Sequence, residues 1–200
     1  MQQVLIIGDS QTHTVGKVLQ NLLRGKGDTV TRIPLSGYST SKLFTYAKDK
    51  ISPDQYQLVY IFAGGNDYKP TPALVMSFAN FFKNAKVVWV GPPPATRISD
   101  LSKARKVFGS KVSGPDYWIK TGLFDKRNKT NEVYKKAIAQ TDAFYADPRS
   151  LLPDFPSQPD GIHVQGESAM KIAEKLQDYP PGFPLIPLAI AAFVLKRLLT

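Results

Sequence analysis

Ser10 closes the triplet Gly8-Asp9-Ser10, directly after the apolar run Val4-Leu5-Ile6-Ile7. A serine hydroxyl is a weak nucleophile until a base takes its proton. Attack on a carbonyl also needs donors aimed at the oxyanion that forms. The chain has two histidines, His13 and His163, and no cysteine. His163 ends the segment Asp160-Gly161-Ile162-His163, which brings a base and an orienting carboxylate together. Ser10, His163 and Asp160 are therefore named for a nucleophilic triad almost by elimination. His13 lies three residues after Ser10 without an adjacent carboxylate, and is expected to line the mouth of the site or to be solvated. Two more segments offer oxyanion donors. Ser36-Gly37-Tyr38 carries a glycine whose backbone N–H can approach a ligand closely. Gly64-Gly65-Asn66-Asp67 presents the Asn66 amide.

These segments work together only if the fold gathers them. Val4 to Gly8 reads as a buried strand, Thr29 to Leu35 as a second, Leu58 to Ala63 as a third and Lys86 to Val90 as a fourth. Helical spacing appears over Val15 to Leu23, Ser41 to Lys50 (with Ser39, Thr40 or Ser41 as cap) and Thr71 to Asn84, where Pro72 suits the first turn. The order predicts a parallel sheet with helices on both faces. Three of the four segments then follow three successive strands and converge on one rim, where open α/β sheets bind ligands. Asn128 to Thr141 reads as a helix, Ala143 to Ala146 as a short fifth strand and Gly166 to Leu176 as a last core helix. The basic stretch 95–127, which contains Tyr117 and Trp118, breaks the rhythm. A segment of that length is expected to be a lid-like insertion or small subdomain.

Two hundred residues suit one domain, here 1–179, followed by a different segment, 180–200. Phe183 to Leu195 carries no charge, and Lys196 and Arg197 follow. About a dozen helical residues span roughly 18 Å, short of a hydrocarbon core of about 30 Å. Such a tail suits a membrane interface, a partner's groove or its own domain. The formal net charge is +10, which favours an anionic membrane or wall polymer, or simply solubility. No zinc-ligand spacing or nucleic-acid motif accompanies the charge, so specific nucleic-acid recognition is not expected. The N-terminus lacks the features of a secretory signal, which predicts synthesis in the cytoplasm. A membrane-associated or virion-incorporated destination then depends on something else.

Taken together, the four segments resemble those of the SGNH or GDSL hydrolases, over approximately residues 3 to 177. Gly8-Asp9-Ser10, Gly37, Gly64-Gly65-Asn66-Asp67 and Asp160-Gly161-Ile162-His163 match their first, second, third and fifth blocks. The resemblance implies a flavodoxin-like α/β/α sandwich with about five parallel strands. It implies Ser10 as nucleophile, His163 as base and Asp160 as its partner. The Ser10 and Gly37 amides and the Asn66 side chain would form the oxyanion hole. No metal or cofactor is required. Gln11 stands where many members carry leucine, a change that touches no catalytic part in this reading. The expected activity is ester hydrolysis through an acyl-enzyme, on an envelope-type ester such as an acetylated glycan or a lipid. The alternative is a non-catalytic binding or structural module of a larger assembly.

Overall fold

Side chains alternate across the strands and so divide the core between two faces of one sheet. The computed structural model describes residues 1–179, and the expectations for the apolar tail 180–200 lie outside the described residues. Among the described residues there are five parallel strands: β1 (Gln3–Gly8), β2 (Thr29–Pro34), β3 (Leu58–Phe62), β4 (Lys86–Val90) and β5 (Phe144–Ala146). They run in the order β2-β1-β3-β4-β5, the flavodoxin-like order. On one face Val4, Ile6, Tyr60, Phe62 and Val88 pack against Val15 and Leu19 of α1 (Gln11–Gly25) and Ile172 of α8 (Gly166–Leu176). On the other, Leu5, Ile7, Ile61 and Trp89 meet three helices: α2 (Thr40–Lys50), α3 (Pro72–Phe81) and α6 (Leu123–Ile138). Trp89 anchors that face with edge-to-face contacts to Phe78 and Tyr134. Burial on both sides explains why the central strands read as continuous apolar runs.

Register sets the rim. Gly8 of β1 pairs with Pro34 of β2 and Phe62 of β3. Three strands thus end at one level, and Ser10, Gly37 and Asn66 lie two, three and four residues beyond it. Chain direction across the sheet reverses at β1, with β2 on one side and β3 on the other, which opens a crevice above their carboxyl ends. Gly8 permits this junction, because a Cβ there would lie 2.3 Å from the Phe62 carbonyl oxygen.

The largest departure from the sequence reading is at 95–127. This stretch holds α4 (Leu101–Phe108), α5 (Tyr117–Lys120) and the first turn of α6, which begins at Leu123 rather than Asn128. It has its own small core of Ala95, Ile98, Ala104, Val112 and Trp118, with Phe108 and Ile162 packed against it. Helix α1 likewise begins at Gln11, four residues before its apolar stripe. A further short helix, α7 (Pro148–Leu151), lies in the proline-rich turn region. Among the described residues, no helix is long and apolar enough to cross a membrane.

Candidate active site

Ser10 is the N-cap of α1, yet its side chain makes no capping bond. Its hydroxyl is instead 2.9 Å from His163 Nε2. His163 Nδ1 lies 2.7 Å from Asp160 Oδ2. The second carboxylate oxygen, Oδ1, accepts the backbone N–H groups of Ile162 at 3.0 Å and His163 at 2.8 Å. Burial pushes the Asp160 carboxyl up, but the His163 ring, through its hydrogen bond and its charge, and these two N–H donors hold it below the ordinary carboxylate range. An ionised Asp160 accepts a hydrogen bond from the Nδ1–H. That tautomer leaves Nε2 as the acceptor for the Ser10 hydroxyl.

The remaining residues expected at the site lie in the turns that follow β2 and β3. Gly37 occupies the turn after β2 with φ +76, a conformation that favours glycine. Asn66 is exposed, and its amide donates to the Tyr38 carbonyl at 3.2 Å, tying the third-strand loop to the Gly37–Tyr38 turn. A carboxamide nitrogen has two protons, so one remains for a ligand. The loop is fixed from below by buried Asp67. Its Oδ1 accepts from the Thr40 N–H at 2.8 Å and its Oδ2 from the Thr40 hydroxyl at 2.6 Å, and Tyr134 also donates to it. A carboxylate at the start of α2 also complements the helix dipole. His13 is exposed on the first turn of α1, as expected. Among the described residues, no cluster of three or more His, Asp or Glu side chains is placed to hold a metal ion.

Several residues to which the sequence assigns no role contribute to the site. Phe108 lies parallel to the His163 ring, with centroids 6.0 Å apart and planes at 6°. Trp118 Nε1 donates to the Asp160 carbonyl at 2.8 Å, and the Thr96 N–H donates to the Gly161 carbonyl at 2.8 Å. The 95–127 stretch therefore packs directly on the segment that carries Asp160 and His163. Arg127 is buried beneath it and donates to the carbonyls of Pro93 at 3.1 Å and Ile162 at 3.3 Å. Burial lowers its pKa to about 10, against the opposing pull of Asp9 and Asp160. The Gln11 carboxamide reaches the backbone on both sides of His163. Aromatics within a basic segment and an amide next to the serine are the traces of these roles in the sequence.

No family model matches the chain, and no curated protein matches it by sequence. Solved structures do match. A carbohydrate acetylesterase from Sinorhizobium meliloti superposes with a TM-score of 0.60 at 20% identity, covering 89% of this chain and 97% of that one. A lipase/acylhydrolase from Enterococcus faecalis gives 0.62 at 16%, covering 88% and 96%. A catalytic mutant of an acetylxylan esterase from Geobacillus stearothermophilus gives 0.66 at 14%, covering 92% and 95%. The chain has the SGNH/GDSL hydrolase fold. At such identities the likeness is one of fold. Within this fold, the end of β1 delivers Ser10 to the bonded series, and the segment before α8 delivers Asp160 and His163.

Proposed function

We propose that this protein is a serine ester hydrolase working through an acyl-enzyme on Ser10. The observation that carries the reading is the unbroken hydrogen-bonded series from the Ser10 hydroxyl through His163 to Asp160. Ser10 Oγ attacks the ester carbonyl as its proton passes to His163 Nε2. The carbonyl oxygen becomes an oxyanion, held by the N–H groups of Ser10 and Gly37 and the free Asn66 amide proton. Collapse breaks the bond to the alcohol, which leaves with the proton from His163. Water then repeats the sequence and releases the acid. Asp160 holds the imidazole in the required tautomer and stabilises its charged form.

The substrate class we infer is an envelope-type ester, an acetylated glycan or a lipid. The fold relatives include carbohydrate acetylesterases, an acetylxylan esterase and a lipase/acylhydrolase. Exposed Val107, Ile119 and Phe124 lie in the stretch that packs on His163, and Lys126 sits over the ring of exposed Tyr68 at 5.2 Å. Apolar side chains interleaved with lysines suit an anionic surface. We further propose that segment 183–200 seats the domain on a membrane or in a larger assembly such as a virion. Deleting it should abolish particle or liposome association and spare small-ester turnover.

A fluorophosphonate label and a short-chain aryl ester test the activity. Labelling and turnover that vanish in Ser10→Ala support it. A folded wild-type protein showing neither signal is a binding module, and the proposal fails.

A further inference from the structure

We propose that Gln11 is the positioning residue for the base, bracketing His163 with its carboxamide and so fixing the imidazole relative to the serine hydroxyl. This inference rests on the hydrolase reading of the site.

Gln11 is the residue after Ser10 and the first of α1, so its backbone moves with the nucleophile. Its side chain is buried. The Nε2 group donates to the Ile162 carbonyl at 3.0 Å, and Oε1 accepts from the Val164 N–H at 3.1 Å. Residues 162 and 164 flank His163. The amide orientation follows from its partners, because a flip would face oxygen to carbonyl and NH2 to N–H.

The backbone around His163 is thereby held on two sides. Asp160 accepts the N–H groups of Ile162 and His163 from within the same loop. Gln11 takes the Ile162 carbonyl and the Val164 N–H from the neighbouring helix, and Arg127 adds a second donor to that carbonyl. Only Gln11 among these is covalently joined to Ser10. The 2.9 Å separation of hydroxyl and imidazole therefore depends on a bond network rooted next to the nucleophile. A leucine at this position fills space but supplies neither bond. It leaves the buried Val164 N–H without the Gln11 acceptor, and unpaired buried donors are costly. Misplacing a base by about 1 Å costs as much as 10²-fold in rate.

The test uses the full chain carrying Gln11→Met, which keeps length and loses both polar atoms, and Gln11→Leu. The expected result is a fall in kcat on a short-chain aryl ester of about 10- to 100-fold. KM stays within about twofold, because the residue acts on the base and not on bound substrate. Fluorophosphonate labelling slows in parallel. In nitrogen-15 spectra the His163 ring Nδ1–H resonance, assigned by its loss in His163→Ala, shifts or broadens. A folded variant with wild-type kcat and an unchanged ring resonance overturns the proposal. So does a rise in KM alone, which makes Gln11 a substrate contact, or a loss of kcat that tracks loss of folded protein. If neither variant folds, the wild type decides: Gln11 side-chain protons exchanging as fast as those of exposed glutamines overturn the proposal, and slow exchange supports it. Should wild type neither label nor turn over, the hydrolase reading fails separately, and the ring resonance and exchange still judge the bracket.

Discussion

Asp9 and Ser10 are neighbours with opposite demands. Ser10 must meet a substrate, while Asp9 is buried, with its Oδ1 accepting the Gln11 N–H at 3.0 Å. Asp9 and Arg127 both line Gly65, where an added Cβ would lie 3.0 Å from Asp9 Oδ2 and 3.6 Å from Arg127 Nη2. Burial pushes the Asp9 carboxyl up from 3.8 to about 6, although Gln11, Arg127 and His163 pull the other way. A folded-state pKa above the unfolded value means the native state holds the proton longer. The contribution of Asp9 to stability is therefore present below about pH 4 and is lost as pH rises through about 6. At about 1.4 kcal/mol per pH unit, the loss is about 3 kcal/mol. Asp9→Asn should remove it: urea midpoints of wild type and variant, compared from pH 4 to 7, should show the decline only in wild type. An equal decline in both would mean that another group titrates. For Asn66 the expectation is kinetic. Asn66→Ala should cost about 3 kcal/mol in the barrier, read as a fall in kcat of about 10²-fold with little change in stability. Wild-type kcat in this variant would remove the side chain from the oxyanion hole.

Besides the Phe108 and Trp118 contacts, the stretch 95–127 closes on the active-site segment at a glycine. Gly161 has φ +75, and a Cβ there would lie 2.6 Å from Trp118 Cδ1 and 2.8 Å from the Thr96 carbonyl oxygen. Gly161→Ala should therefore lift α5 and the 160–163 segment apart, costing about 2–4 kcal/mol, measured by urea unfolding, and lowering kcat with it. Trp118→Phe is the milder probe. It keeps an aromatic ring and loses the bond to the Asp160 carbonyl, for about 1 kcal/mol. If Gly161→Ala retains full stability and rate, the packing does not position the segment. None of this packing was visible in the sequence, for a physical reason. The central strands announce themselves because burial on both faces makes them unbroken apolar runs, β2 shows itself by its β-branched residues, and the strand ends then locate Ser10, Gly37 and Asn66. The first turn of α6, Leu123-Phe124-Asp125-Lys126-Arg127, is mostly exposed and charged, so it carries little helical apolar period. Its buried member is an arginine, held by carbonyls of Pro93 and Ile162 that only the folded chain brings near. Gln11 is hidden in the same way, since its partners lie 151 and 153 residues away.

Charge is distributed unevenly over the chain. Residues 95–127 hold eight Lys and Arg against three Asp, a balance of +5 within a total of +10. All eight except Arg127 are exposed. Half of the net positive charge thus lies on the stretch that packs on His163, which would draw a polyanionic surface toward the rim where Ser10 lies. Such attraction between exposed charges is screened as the Debye length falls from about 10 Å at 0.1 M salt to about 3 Å at 1 M. Turnover of a small neutral ester depends on contacts within the site and has no such long-range component. Raising salt over that range should therefore weaken sedimentation with anionic vesicles or an anionic wall polymer by at least tenfold, while kcat/KM on the neutral ester changes less than about twofold. Reversing Lys103, Lys106 and Lys111 to glutamate should reproduce the effect of salt without adding any. These lysines are exposed and lie outside the Ser10–His163–Asp160 series. Association that survives both treatments would have to come from apolar contact alone, through Val107, Ile119 and Phe124 and the tail, with no contribution from this basic stretch.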